Sequence, residues 1–85
     1  MSEMSERIKF QLYRNYVTDT VDEIERVFHF VKNDFSETQR EKIRETLIEA
    51  RSMIADMHFT PFHTREARVS FGHKFHHLLE KLKIN

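Results

Sequence analysis

The sequence predicts an all-α protein: a helical hairpin formed by a long first helix and a second helix, followed by a third, C-terminal helix. One glycine and one proline among 85 residues are too few for a fold rich in turns. Residues 8–35 carry one amphipathic pattern that no glycine or proline interrupts. The length suits a single domain over residues 1–85. We expect a small, dimeric bundle with helices over about residues 6–34, 37–58 and 61–83.

Apolar residues of the first predicted helix recur in steps of three and four, which places them on one side of an α-helix. This stripe consists of Phe10, Tyr13, Val17, Val21, Ile24, Phe28, Val31 and Phe35. It is wider than a coiled-coil seam and therefore favours a bundle helix. The β-branched Thr18 and Thr20 are weak helix formers and mark the place where a bend is expected. On the polar side, Asp22 and Arg26 are predicted to form an i,i+4 ion pair.

Two short segments separate the predicted helices. Ser36 and Gln39 have the spacing of a capping box, which predicts that the second helix begins directly after Ser36. Because this connection is short, the first two helices should be antiparallel neighbours. Pro61 stops the second helix, and the third is expected to begin there or at Thr64. Gly72 lies inside the third helix and indicates a close helix crossing, a kink or a boundary.

The first predicted helix is longer than the two helices that must cover it. Its 28 residues span about 42 Å, whereas the other two helices are nearer to about 30 Å each. Part of the apolar stripe should therefore stay uncovered in a monomer, and exposed apolar patches mark interfaces. We expect a homodimer that pairs through the first helix, or a monomer that uses the same surface for a partner.

Aromatic side chains in excess of what a small core can hold are the predicted anchors for a partner protein. They are Phe10, Tyr13, Tyr16, Phe28, Phe30 and Phe62. Tyr16 and Phe30 fall away from the centre of the stripe, where a monomer has least reason to bury them. The predicted function is that of a small, non-enzymatic regulator, inhibitor or adaptor that binds another protein. The open alternative is that these aromatics pack against the third helix or the dimer mate.

Nucleic-acid binding by the basic, His- and Phe-rich third helix is the alternative function. Its candidate phosphate contacts are Arg65, Arg68, Lys74, Lys81 and Lys83. Aromatic residues interleaved with them would stack on bases. However, the chain carries 14 basic and 14 acidic side chains, whereas dedicated nucleic-acid-binding domains usually have a pI above about 9. This balance favours a protein partner.

A metal site has only weak candidates in the sequence, His73, His77 and Glu80 of the third helix. A zinc site needs three or four converging ligands and a supporting second shell, so His58 or His63 would have to fold back to complete it. The sequence also has no phosphate-cradling glycine loop, nucleophile elbow or His-Glu-x-x-His motif. We therefore predict no metal, no cofactor and no enzymatic activity.

Cysteine usage and hydropathy predict a cytoplasmic protein that does not bind membranes. The chain contains no cysteine, which excludes disulfides and thiol chemistry and fits a reducing compartment. The first ten residues lack the apolar core of a signal peptide, and no segment approaches the ~18 apolar residues of a membrane span.

Overall fold

The protein is an all-α bundle, as the sequence predicts. The computed structural model describes residues 3–59 and 64–82. In these ranges α1 spans Glu3–Val31 and continues into a 3-10 turn over Lys32–Asp34, α2 spans Glu37–Ala55, and α3 spans Arg65–Glu80. No β-strand occurs within the same ranges. None of the described helices is sufficiently long and apolar to span a membrane.

Helix α1 runs without interruption through Thr18 and Thr20, where the sequence suggested a bend. The Thr18 hydroxyl donates a hydrogen bond to the carbonyl of Arg14, and that of Thr20 to the carbonyl of Tyr16, each over 2.8 Å. These bonds to the preceding turn satisfy both hydroxyls inside the helix. The 29 residues of α1 span about 44 Å. This length accounts for most of the 49 Å long dimension of the molecule.

The turn between α1 and α2 confirms the predicted capping box. The Ser36 hydroxyl accepts a hydrogen bond from the Gln39 amide, and the Gln39 side chain accepts one from the Ser36 amide. Arg40 then reaches back to donate to the carbonyls of Lys32 and Phe35, over 3.2 and 2.9 Å. These carbonyls lie in the turn that follows α1, and that of Lys32 also accepts from the Phe35 amide over 3.2 Å. The two helices therefore form a tight αα-hairpin.

The core lies where α2 packs against both α1 and α3. Its buried members are Val17, Val21, Phe28, Ile43, Leu47, Ala50, Ile54, Phe75 and Leu78. Gly72 does not mark a close crossing, because a Cβ placed there would meet no atom within 4 Å. It also does not interrupt α3, which continues through it to Glu80. Thr64 caps α3 by accepting from the Ala67 amide, consistent with the later of the two predicted starts. Residues 60–63, which include the earlier start at Pro61, lie outside the described ranges.

Most of the apolar stripe of α1 is buried or half-buried and only Tyr13 is just exposed, so the uncovered part is smaller than expected. Near the amino end of α1, the Phe10 ring meets the edge of Phe59 with a centroid separation of 5.9 Å. Further along, Tyr13 packs edge-on against Phe71 of α3 at 6.1 Å. The segment after α2 and the first half of α3 thus extend the cover beyond the end of α2. The length of α1 alone therefore does not leave a core-facing surface free.

A candidate protein-binding surface on helix α1

Apolar side chains are exposed on the side of α1 that faces away from the core. We call this surface the outer band, and it consists of Met4, Ile8, Leu12, Tyr16, Val27 and Phe30. A helix turns about 100° per residue, so every member lies at least roughly 80° around the axis from Val17, Val21 and Phe28. Exposed apolar residues that gather on one side of a helix are typical of an interaction site.

The first four members of the outer band follow one another at intervals of four residues. Such residues stand one above the other and form a ridge, the unit of helix–helix packing. Leu12 and Phe30 are 18 residues apart, which is five turns of 3.6 residues, so they point in the same direction. Between them, Asp19 and Glu23 occupy the same side. The outer band thus consists of a long apolar ridge from Met4 to Tyr16 and a shorter apolar part at Val27 and Phe30. The acidic residues Asp19 and Glu23 separate the two parts.

Tyr16 and Phe30, the two aromatics that the sequence places away from the stripe, are both strongly exposed. Their relative accessibilities are 67% and 83%. Tyr13 is only just exposed and packs on α3, and the partial burial raises the pKa of its hydroxyl, with a smaller contribution from nearby Tyr16. Phe10 is half-buried. Phe62 lies outside the described residues.

Phe28 is buried, and the prediction that the core cannot hold it is wrong. Its relative accessibility is 6%, and it packs in the core with residues of α2 and α3. Two residues further along, Phe30 has rotated by about 200° to the opposite side of the helix. A partner that binds Phe30 therefore cannot contact Phe28, which is buried on the opposite side of the helix.

Sequence analysis does not single out Met4, Ile8 and Leu12, which form most of the exposed ridge. The sequence does contain a signal for this ridge, because the four-residue spacing of these apolar residues continues to Tyr16. The signal is masked by the stronger stripe of Phe10, Val17 and Val21, which accounts for the amphipathic pattern on its own.

Charges on α1 divide between its two halves. Residues 3–16 contain three basic and two acidic side chains, Arg7, Lys9, Arg14, Glu3 and Glu6. Residues 17–31 contain one basic and four acidic side chains, Arg26, Asp19, Asp22, Glu23 and Glu25. The amino half of the helix is therefore basic and the carboxyl half acidic.

The predicted pair of Asp22 and Arg26 is replaced by two other ion pairs. Arg26 pairs with Glu23, one turn earlier, which raises the pKa of its guanidinium through their hydrogen bond. Asp22 instead accepts from Arg51 of α2 at 2.7 Å, and Glu25 lies 3.6 Å from the same guanidinium. Sequence spacing could not reveal this, because Arg51 approaches only after the hairpin has folded.

A shallow groove of about 390 Å³ lies between α1 and α2. Its apolar floor includes Phe28, Leu47 and Ile48, and charged side chains form its rim. The rim residue Arg51 is already engaged with α1, and Arg44 lies 3.4 Å from Glu41. Both arginines of the rim are thus already engaged in ion pairs within the chain.

The basic residues of α3 do not form a single surface. Arg65 and Lys74 are nine residues apart, two and a half turns, and so lie on opposite sides of the helix. Lys81 lies 3.4 Å from Glu49 of α2, so part of its charge is neutralised. Arg68 is exposed, and Lys83 lies outside the described residues. Phosphates on one strand would meet only part of this set at a time.

The histidines of α3 point into solvent. His73 and His77 are exposed, and Glu80 lies 3.3 Å from His76 rather than between them. Within residues 3–59 and 64–82, no three side chains of the metal-binding types come together. The weak candidate set of His73, His77 and Glu80 therefore does not converge on a common point.

In comparisons with known proteins, no family model matches this sequence, and no curated protein and no solved structure is significantly similar to it. The function has to be inferred from the surface of the chain itself.

Proposed function

We propose that this protein is a small, non-enzymatic regulator or adaptor that works as a homodimer and binds another protein. The observation that supports the proposal is the outer band, whose apolar side chains are exposed on the far side of α1 from the core. Covering such side chains is favourable by about 25 cal/mol for each Å² of apolar surface. We propose that a second copy of the chain covers this surface by pairing through its own outer band.

The kinds of residue in the outer band suit a protein interface. Tyr16 and Phe30 are large aromatics with most of their surface in solvent, and aromatic anchors dominate the binding energy of many interfaces. Leu12 and Ile8 extend the same surface with aliphatic side chains. A non-catalytic role is supported by the α1–α2 groove, which is shallow and whose two arginines are engaged in ion pairs. As part of this proposal, we place the protein in the cytoplasm, because a chain without cysteine fits a reducing compartment.

Sedimentation analysis of purified protein tests the proposed homodimer. Wild-type protein should have twice the 10.4 kDa chain mass. The double variant Tyr16→Ala/Phe30→Ala should have the mass of one chain and an unchanged circular-dichroism spectrum, because both side chains lie outside the core. Val69→Ala is the matched control, since Val69 is also an exposed apolar residue but lies on α3. It should remain dimeric.

A wild-type mass of one chain at every concentration would contradict the homodimer. A dimeric Tyr16→Ala/Phe30→Ala variant would show that the copies pair through another surface. For the partner protein, tagged wild type and tagged monomeric variant should be compared in affinity capture from the native host. Proteins captured by both with equal yield would bind independently of the dimer.

Nucleic-acid binding through α3 has less support, because its basic residues are divided between opposite sides of the helix. Retention on heparin distinguishes the two functions. The proposed regulator should flow through at moderate salt, whereas retention that Arg65→Ala/Arg68→Ala abolishes would favour nucleic acid.

A further inference from the structure

We infer that the two copies pair antiparallel, so that the basic amino half of α1 in one copy covers the acidic carboxyl half of α1 in the other. This inference rests on the proposed homodimer and specifies its geometry. It follows from how charge and apolar surface are distributed along α1.

Charge distinguishes the two possible orientations. In a parallel pair, Asp19 and Glu23 of one helix would lie beside the same two residues of the other. Like charges placed opposite one another are destabilising. In an antiparallel pair, these carboxylates instead face the half whose band side contains Lys9, whereas Arg7 stacks on Phe59 on the other side of the helix. The helix dipoles also oppose one another in this orientation, which is favourable.

The apolar residues at the two ends of the outer band fit the same arrangement. The band extends from Met4 to Phe30, so its midpoint falls at the level of residue 17. A twofold axis at this level brings Phe30 of each copy over Met4 of the other, and Val27 close to Ile8. The most exposed side chain of the band would thus lose its contact with water. The same axis places Asp19 at the level of Asn15 of the second copy rather than opposite another Asp19.

Apolar contact and charge have different roles in this dimer. Apolar burial supplies most of the affinity, because exposed ion pairs at the edge of an interface contribute little to it. Charge complementarity fixes the orientation and disfavours the wrong one. The outer band combines both features on one helix face, whereas the exposed apolar residues Ile48 and Val69 are isolated on α2 and α3.

Disulfide cross-linking between single-cysteine variants tests the orientation, since the natural chain has no cysteine. Ile8 and Arg26 are suitable positions because they are equally far from residue 17 and, being 18 residues apart, point in the same direction. A disulfide requires Cα atoms within about 7 Å of each other. In the antiparallel dimer, residue 8 of one copy lies beside residue 26 of the other. Two copies of residue 8 are roughly 27 Å apart along the helix axis.

Mixed Ile8→Cys and Arg26→Cys proteins should form the heterologous disulfide at least tenfold faster than either variant links to itself. Ser70→Cys on the exposed side of α3 measures the rate of random collision. Dimeric protein that links residue 8 to residue 8 and residue 26 to residue 26 would overturn the antiparallel inference but leave the homodimer intact. Cross-linking no faster than Ser70→Cys, in protein of dimer mass, would also overturn it. A mass of one chain would instead refute the homodimer itself.

Charge reversal provides a second measurement that does not depend on cysteine. Lys9→Glu and Glu23→Lys should each weaken dimerisation by about tenfold, because each creates two repulsive contacts across the twofold axis. The double variant Lys9→Glu/Glu23→Lys should return to within about threefold of wild type, since the attraction is restored with exchanged signs. Single reversals that leave the dissociation constant unchanged would be expected of a parallel pair and would overturn the inference.

Discussion

Arg51 of α2 donates to the carboxylate of Asp22 of α1 across the hairpin, with 2.7 Å between Nη1 and Oδ1. Its second nitrogen lies 3.6 Å from Oε2 of Glu25, one turn further along α1. The hydrogen bond with Asp22 is the main cause that raises the pKa of the Arg51 guanidinium. A single side chain thereby joins two carboxylates of the acidic half of α1 to α2. The packing of α2 against α1 thus fixes the positions of two of the acidic side chains that make the carboxyl half of α1 acidic.

Replacement of Arg51 by Met should lower the free energy of unfolding by about 0.5–1 kcal/mol. The value is modest because the ion pair is half exposed to water, and Met retains most of the apolar stem. Urea denaturation of Arg51→Met, Asp22→Asn and the double variant measures the coupling. The loss in the double variant should be smaller than the two single losses added together. If the loss in the double variant equals the sum of the two single losses, the interaction between Arg51 and Asp22 contributes nothing to the free energy of unfolding.

Phe28 and Phe30 should respond in opposite ways to replacement by Ala. Phe28→Ala removes a core aromatic and should cost about 3–5 kcal/mol of unfolding free energy, enough to unfold much of a small domain. Phe30→Ala should change the stability of the single chain by no more than about 0.5 kcal/mol. Thermal denaturation at low protein concentration measures both. A large loss for Phe30→Ala would show that this ring is covered within the chain.

Gly72→Ala should raise the free energy of unfolding by about 0.5–1 kcal/mol. Glycine inside a helix loses more backbone entropy on folding than alanine, and the space for a methyl group at this position is empty. Ser70→Gly, at an exposed position of the same helix, is the converse control and should lower the stability by roughly 0.5 kcal/mol. Denaturant unfolding checks both variants. A destabilised Gly72→Ala would indicate that another chain approaches α3 closely at this point.

Glu37 should titrate below the usual glutamate pKa of 4.5, because Arg40 donates a hydrogen bond to its carboxylate over 2.7 Å and adds an attractive charge. Since the pKa in the folded state is lower than in the unfolded state, the ion pair stabilises the protein above the unfolded value. This contribution is lost as the pH falls through the folded value. Carboxyl NMR titration measures the pKa directly.

Arg40→Met should return the pKa of Glu37 towards its usual value, whereas Arg44→Met should change it much less. Arg44 is the matched control, because it lies 3.9 Å from the other oxygen of Glu37 and is the weakest contributor to the shift. Equal effects of the two variants would show that general positive charge, rather than the hydrogen bond from Arg40, lowers this pKa.

Much of the fold could be predicted because it depends on neighbours in the sequence. The 3.6-residue period of α1 and the capping box of Ser36 and Gln39 both involve residues no more than four positions apart. The candidate surface was predicted only in part. The distance of Tyr16 and Phe30 from the centre of the stripe predicts their exposure, whereas the stronger apolar stripe on the same helix masks the signal of Ile8 and Leu12.

The sequence by itself determined that this chain forms helices, where they begin and end within a few residues, and which aromatics are the best candidates for exposure. Only the tertiary structure decided that Phe28 is core and Phe30 is surface, and that Arg51 rather than Arg26 engages Asp22. Helix formation depends on interactions within one or two turns. Burial and ion pairing between helices depend instead on where α2 and α3 come to lie, and that position follows from packing the whole chain at once.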